Sequence, residues 1–115
     1  MDADADADDP IAPTDPVEMI DELIGEAADV DVASHGDGFE YSRGGRVFAA
    51  RSGSGLIEVR LGDEIAEAAQ RTPDTKSSTR GSAWVLFAPA EWDEHALDRL
   101  ESWFRVAWRL AGNRN

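Results

Sequence analysis

Three glycine-centred pairs constrain this 115-residue chain more than any other feature: Gly36-Asp37, Gly44-Gly45 and Gly53-Ser54. Each separates short segments rich in β-branched and aromatic residues. Glycine accepts positive φ at no steric cost, so such pairs favour the primed two-residue turns that join antiparallel strands. If all three are two-residue turns, the registers follow: Val32 opposes Tyr41, Tyr41 opposes Phe48, and Phe48 opposes Val59. One face of the resulting meander then collects Val30, Val32, Phe39, Tyr41, Phe48, Ala50, Ile57, Val59 and Leu61. The other collects Asp31, Glu40, Ser42, Val47, Ala49, Arg51, Leu56, Glu58 and Arg60. A slip of one residue would exchange the two sets, so the separation of apolar from polar supports the strand assignment.

The flanks supply the cover for the apolar face. Asp15, Pro16 and Glu18 form a helix start with a cap, a proline at the first helical position and a capping-box carboxylate. Val17, Ile20, Leu23, Ile24, Ala27 and Ala28 follow at helical spacing. After the meander, Gly62-Asp63-Glu64 opens a short helix to about Arg71, which Pro73 stops. Residues 72–81 are polar and read as a mobile loop carrying Lys76 and Arg80. Ala83 to Phe87 is almost wholly apolar and is expected as a fifth strand buried on both faces. A long helix from about Glu94 to Ala111 closes the fold. Asp93 caps it, Trp92 staples it, and Leu97, Leu100, Trp103, Phe104, Ala107, Trp108 and Ala111 form its stripe. Glu101 and Arg105 pair across one turn, and Gly112 ends it. The expected class is α+β: a four-stranded antiparallel meander plus a fifth strand, with one face covered by the N-terminal and C-terminal helices. The expected organisation is a disordered acidic tail over residues 1–13, one domain over 14–112 and a short tail over 113–115. The Asp-Ala alternation of the tail cannot bury enough apolar surface to offset the entropy of ordering.

Composition excludes several chemistries. The chain has no cysteine, so thiolate catalysis, disulfides and cysteine-based zinc sites are ruled out. It has two histidines, which argues against an all-histidine metal site. The apolar stretches are too short to span a membrane, and the Asp-Ala N-terminus is unlike a signal peptide, so a cytoplasmic location is expected. Charge is lopsided: residues 1–42 hold 14 acidic and no basic residues, whereas residues 43–115 hold 10 acidic and 11 basic ones, for a net of −13. Low lysine with high aspartate resembles salt-adapted, halophile-like composition, in which one sign of charge keeps a chain soluble under strong screening, or the bias of a GC-rich genome. The alternative is a tail that shields the arginines downstream of it.

The motifs that could suggest catalysis have structural explanations. Arg51-Ser-Gly-Ser-Gly55 lies between two strands, whereas a phosphate loop feeds a helix. Ser34, His35 and Asp37 are neighbours on one turn and cannot form a hydrogen-bonded relay. Glu91 and His95 are four apart, but the helix begins after Glu91, and two ligands without a third do not make a metal site. Trp84, Trp103 and Trp108 lie at strand or helix spacing and belong to the core, with Trp92 partly exposed. Arg43 and Arg46 flank the Gly44-Gly45 turn as a like-charge cross-strand pair, a hint of an anionic partner unless the turn is simply solvated or the arginines pair with the acidic first helix.

The order Gly45-Arg-Val-Phe-Ala49, Leu56-Ile-Glu-Val-Arg-Leu61, a short helix, Trp84-Val-Leu-Phe87 and a long terminal helix resembles the small MmcQ/YjbR-type domains, and the TfoX N-terminal domain has a similar arrangement. The resemblance implies a helix-capped antiparallel sheet. It carries over no catalytic residue and implies no cofactor. Such domains are often described as DNA-binding, but a net charge of −13 repels phosphate, which dominates nucleic-acid affinity.

The reading that follows is a non-enzymatic interaction or small-ligand-binding module, with a protein or a small anion as partner and a second copy of the chain as one such protein. Its candidate contacts are Val47, Arg51, Leu56 and Arg60 on the open sheet face, Arg43 and Arg46 at the hairpin tip, and Lys76 and Arg80 in the loop. The alternative is a nucleic-acid-associated regulatory domain held off by its acidic tail.

Overall fold

The structure, a computed structural model, describes residues 15–27 and 29–112. The expected tails and Ala28 lie outside these residues. Three helices and six strands run in the order α1 (Pro16–Glu26), β1 (Asp31–His35), β2 (Gly38–Arg43), β3 (Arg46–Arg51), β4 (Ile57–Arg60), α2 (Asp63–Ala69), β5 (Thr75–Ser78), β6 (Gly81–Phe87) and α3 (Glu94–Ala111). The strands form one antiparallel sheet in the order β1-β2-β3-β4-β6-β5. The class is α+β with helices at both ends, as the sequence implies, but with six strands rather than five.

The helix starts follow their local chemistry. Asp15 Oδ1 accepts from the Glu18 N–H at 2.8 Å, and Asp93 Oδ1 accepts from the Ala96 N–H at 2.9 Å. Each satisfies an amide that the first turn leaves without a helical partner. α1 buries Pro16, Met19, Ile20 and Leu23, while Val17, expected on its inner stripe, is exposed. α3 buries Ala96, Leu97, Leu100, Phe104, Ala107 and Ala111. α2 ends at Ala69, two residues earlier than expected, and contributes Ala66 and Ala69 to the same core.

All three helices cover one face of the sheet. Phe104 sits at the centre of the contact, edge-on to Tyr41 at 5.8 Å and to Phe48 at 5.2 Å between ring centroids. Phe87 meets Trp92 and Trp103 edge-on in the same manner. The largest fully buried side chains are Phe48, Phe87, Phe104, Ile20, Ile57, Leu61 and Leu100, each contributing about 1.5–3 kcal/mol by leaving water.

Two departures from the simple hairpin register offset each other. The first two turns form as expected, with φ of +61° at Gly36 and of +60° and +84° at Gly44 and Gly45. Val32 opposes Tyr41. β3, however, bulges: Ser42 pairs with Val47 and Tyr41 with Ala49, leaving Phe48 as the extra residue. The third connection is a three-residue loop. Gly55 N–H donates to Ser52 O at 3.0 Å, Ser52 N–H donates to Leu56 O at 2.9 Å, and Gly55 takes φ of +92°. Val59 therefore opposes Ala49 and not Phe48. The bulge lets both Phe48 and Ala49 turn toward the helices. It also moves Arg51 to the helix side and Ala50 to the open side, the reverse of the expected placement. Val32 lies on the helix side but beyond the helix layer, 49% exposed rather than in the core.

The segment expected as a mobile loop is a hairpin. Thr75–Ser78 pairs along β6, with Thr75 opposite Phe87 and Ser77 opposite Val85. Its anchor is Arg99 of α3, which donates to Thr72 Oγ1, Pro73 O and Thr75 Oγ1 while stacking on Phe87 and Trp103. β6 is thereby an interior strand between β4 and β5, which is why Trp84, Val85 and Phe87 are buried. Among the described residues no helix is long and apolar enough to cross a membrane.

Candidate interaction face

With every helix on one side, the opposite face of the sheet carries its own side-chain layer. Cross-strand partners share a face, so the pairings Ala33–Glu40–Ala50–Glu58–Leu86–Lys76 form one row across the whole sheet. Arg60 and Trp84 form the next. The turn after β5 folds Arg80 back over this surface. Its Nε donates to Glu58 Oε1 at 3.0 Å, and its Nη1 lies 3.0 Å from Glu40 Oε2. The guanidinium caps the Trp84 ring at 5.1 Å from the centroid, and Ser78 Oγ donates to Glu58 Oε2 at 2.6 Å. Ala50, between the two glutamates, is small enough to leave room for the guanidinium, and it is buried.

This network is partly removed from water. The side chains of Glu40 and Glu58 are each 22% exposed and that of Arg80 is 25% exposed. Burial works against the charge on Arg80, but the bonds from Glu58 and Glu40 outweigh it and hold its pKa above the ordinary arginine value. Beneath it Trp84 is 8% exposed although no helix covers it. His35 Nε2 lies 3.8 Å from Glu40 Oε2 at the β1 end of the row.

The remaining candidate residues lie elsewhere or in other roles. Arg43 is on the helix side, where Nε donates to Asp29 Oδ2 at 2.6 Å, Nη1 donates to Trp108 O at 2.9 Å and the guanidinium stacks on the Trp108 ring at 3.8 Å. It thereby satisfies a carbonyl at the negative end of α3. The bond from Arg43 holds the Asp29 carboxyl below the usual carboxylate range, against a slight desolvation, and the Trp108 indole N–H adds to the effect. Asp29, Arg43, Gly44, Arg46 and Gly112 line a cleft of about 420 Å³, and Arg46 is also engaged. Arg43 and Arg46 do oppose each other across the turn, but Arg43 is not a spare cation. Arg51 stacks on Phe39 and reaches Tyr41 Oη at 3.3 Å on the helix side. Leu56 sits at the mouth of the Gly53–Gly55 loop. Val47, Arg60, Lys76 and Arg80 are the candidates that share the open face.

Glu40, Glu58 and Trp84 belong to that surface and were not among the candidates. Strand alternation places both glutamates there. The missing signal was the hairpin that returns Arg80 over them, since polar loop composition does not report where a loop folds. Among the described residues no group of three His, Cys, Asp or Glu side chains is arranged to hold a metal ion. Compared with known proteins, the chain matches no family model, no curated protein and no solved structure.

Proposed function

We propose that this protein is a non-enzymatic interaction module that presents the open face of its sheet to a partner protein. The observation that carries the reading is the Glu40–Arg80–Glu58 network roofing Trp84 on a face that no helix covers. The groups of this layer are already bonded to one another, so less ordering is left for a partner to impose. Val47 and Leu86 give the face half-buried apolar area, backed by Trp84 buried beneath Arg80. Arg60 and Lys76 stand at its margin, exposed and without an ion pair among the described residues. A partner surface with an apolar centre and acidic margin fits that pattern. The charged groups of the network satisfy one another, which suits a contact surface better than acid–base chemistry. Kinship with the MmcQ/YjbR-type domains is compatible with this reading, because that resemblance brings no catalytic residue. The nucleic-acid alternative is disfavoured: Arg43 and Arg80 spend their charge on Asp29, Glu40 and Glu58, and two marginal cations neutralise too few phosphates.

A photo-crosslinking side chain placed at Leu86 of the full chain, in its own cells, tests the proposal. The expected result is a discrete protein adduct that disappears when Arg60→Glu and Lys76→Glu are added. The same probe at Glu22, on the exposed side of α1, should give none. Absence of an adduct at position 86, or one indifferent to the charge reversals, refutes the reading.

A further inference from the structure

The two edges of the sheet differ. β5 is guarded: Pro73 and the left-handed Asp74 (φ +67°) precede it, and Lys76 projects from its middle. These features discourage a further strand. β1 has no such guard. All five of its residues are exposed, and the helix layer stops short of it, leaving Val32 uncovered.

The hydrogen-bonding phase of β1 follows from its turn. Gly36-Asp37 is a two-residue connection, so His35 and Gly38 are the closing bonded pair. By alternation Ala33 and Asp31 also bond to β2, and the N–H and C=O groups of Val32 and Ser34 point away from the sheet. A two-fold axis through Ala33 would set β1 antiparallel to β1 of another copy over its whole length. Val32 of each chain then exchanges two backbone bonds with Ser34 of the other. In the same register Asp31 of each chain falls opposite His35 of the other, in the closely spaced non-hydrogen-bonded positions where side chains approach best. The imidazole N–H can donate to the carboxylate. The backbone phase and the side-chain charges thus favour the same register, and the strand is self-complementary as a C2 interface requires.

We propose that β1 is a homotypic docking edge through which two copies join their sheets into one twelve-stranded sheet. The inference is independent of the partner proposed for the open face. A pair of five-residue strands is a small interface, so the dimer is concentration-dependent. Because each copy carries a net charge of −13, mutual repulsion makes it tighten as salt rises.

Sedimentation equilibrium on the full chain at low and high salt tests the proposal, with circular dichroism confirming each variant's fold. The wild type should show a monomer–dimer equilibrium shifted toward dimer at high salt. Ser34→Pro removes an outward N–H without touching the β1–β2 bonds, and should abolish the dimer. Asp31→Lys should weaken it about tenfold, and adding His35→Asp should restore it, because the swapped pair is again complementary. A wild type that stays monomeric to millimolar concentration at high salt overturns the proposal. So does a dimer that survives Ser34→Pro, and so does a charge swap that fails to rescue. None of these results bears on the crosslink at Leu86.

Discussion

Replacing Arg80 by methionine is the sharpest test of the outer layer. The substitution keeps an unbranched side chain over Trp84 but removes the cation between Glu40 and Glu58. Two charge-assisted bonds at 3.0 Å are lost. Such a bond is worth about 1.5–3 kcal/mol net when buried. With the three groups still about one-quarter exposed, solvent screening reduces this by roughly half, giving about 1.5–3 kcal/mol for the pair of bonds. The two carboxylates left facing each other act in the same direction. Urea unfolding monitored by circular dichroism measures the loss, and the midpoint should fall with m unchanged. Adding Glu58→Gln to Arg80→Met should cost less than the sum of the single changes, with a coupling of about 1–2 kcal/mol. That coupling should survive high salt, since partly buried pairs are screened less than exposed ones. A loss below about 0.5 kcal/mol, which is what an ordinary surface substitution costs, would mean that Arg80 is a solvated turn residue and the outer layer is not preformed.

Two further outcomes follow from the same structure. Asp29→Asn should lower stability at neutral pH, but wild type and variant should converge in acid. The folded Asp29 pKa is depressed by Arg43, so its contribution is present above the ordinary carboxylate value and lost as pH falls through the folded one; thermal melts across that range check it. Gly38→Ala should cost about 2 kcal/mol or more, because a Cβ there would overlap the Arg51 carbonyl. Gly25→Ala, in open space on α1, should instead stabilise by about 0.5–1 kcal/mol; chemical denaturation of the two variants side by side distinguishes them.

Most of the architecture could be read from local signals, because those signals act over a few residues. Asp15 and Asp93 cap their helices wherever the chain goes next, and glycines at 36, 44 and 45 reverse it at fixed points. The periodicity of α3 and the alternation of Tyr41, Ile57 and Val59 then say which sides must meet. The inner set kept Phe48, Ile57 and Val59 despite two misjudged details, because the extra residue at Phe48 and the extra residue in the Ser52–Leu56 loop offset each other. The cost fell on Ala49, Ala50 and Arg51, whose small or amphipathic side chains tolerate either face and so left no mark in the pattern.

What only the folded chain decided is where polar segments return. Residues 72–81 are polar enough to read as a loop, yet Arg99, more than twenty residues away in sequence, ties Thr72 and Thr75 to α3, and Thr75–Ser78 becomes an edge strand. That edge brings Arg80 to Glu40 and Glu58 across three strands. Arg43 likewise found Asp29 and the end of α3. Apolar burial is written into composition and period, since it depends only on which side of an element is greasy. Partnerships between charges depend on distances that exist only after the elements have packed, and the surface of this protein is built from them.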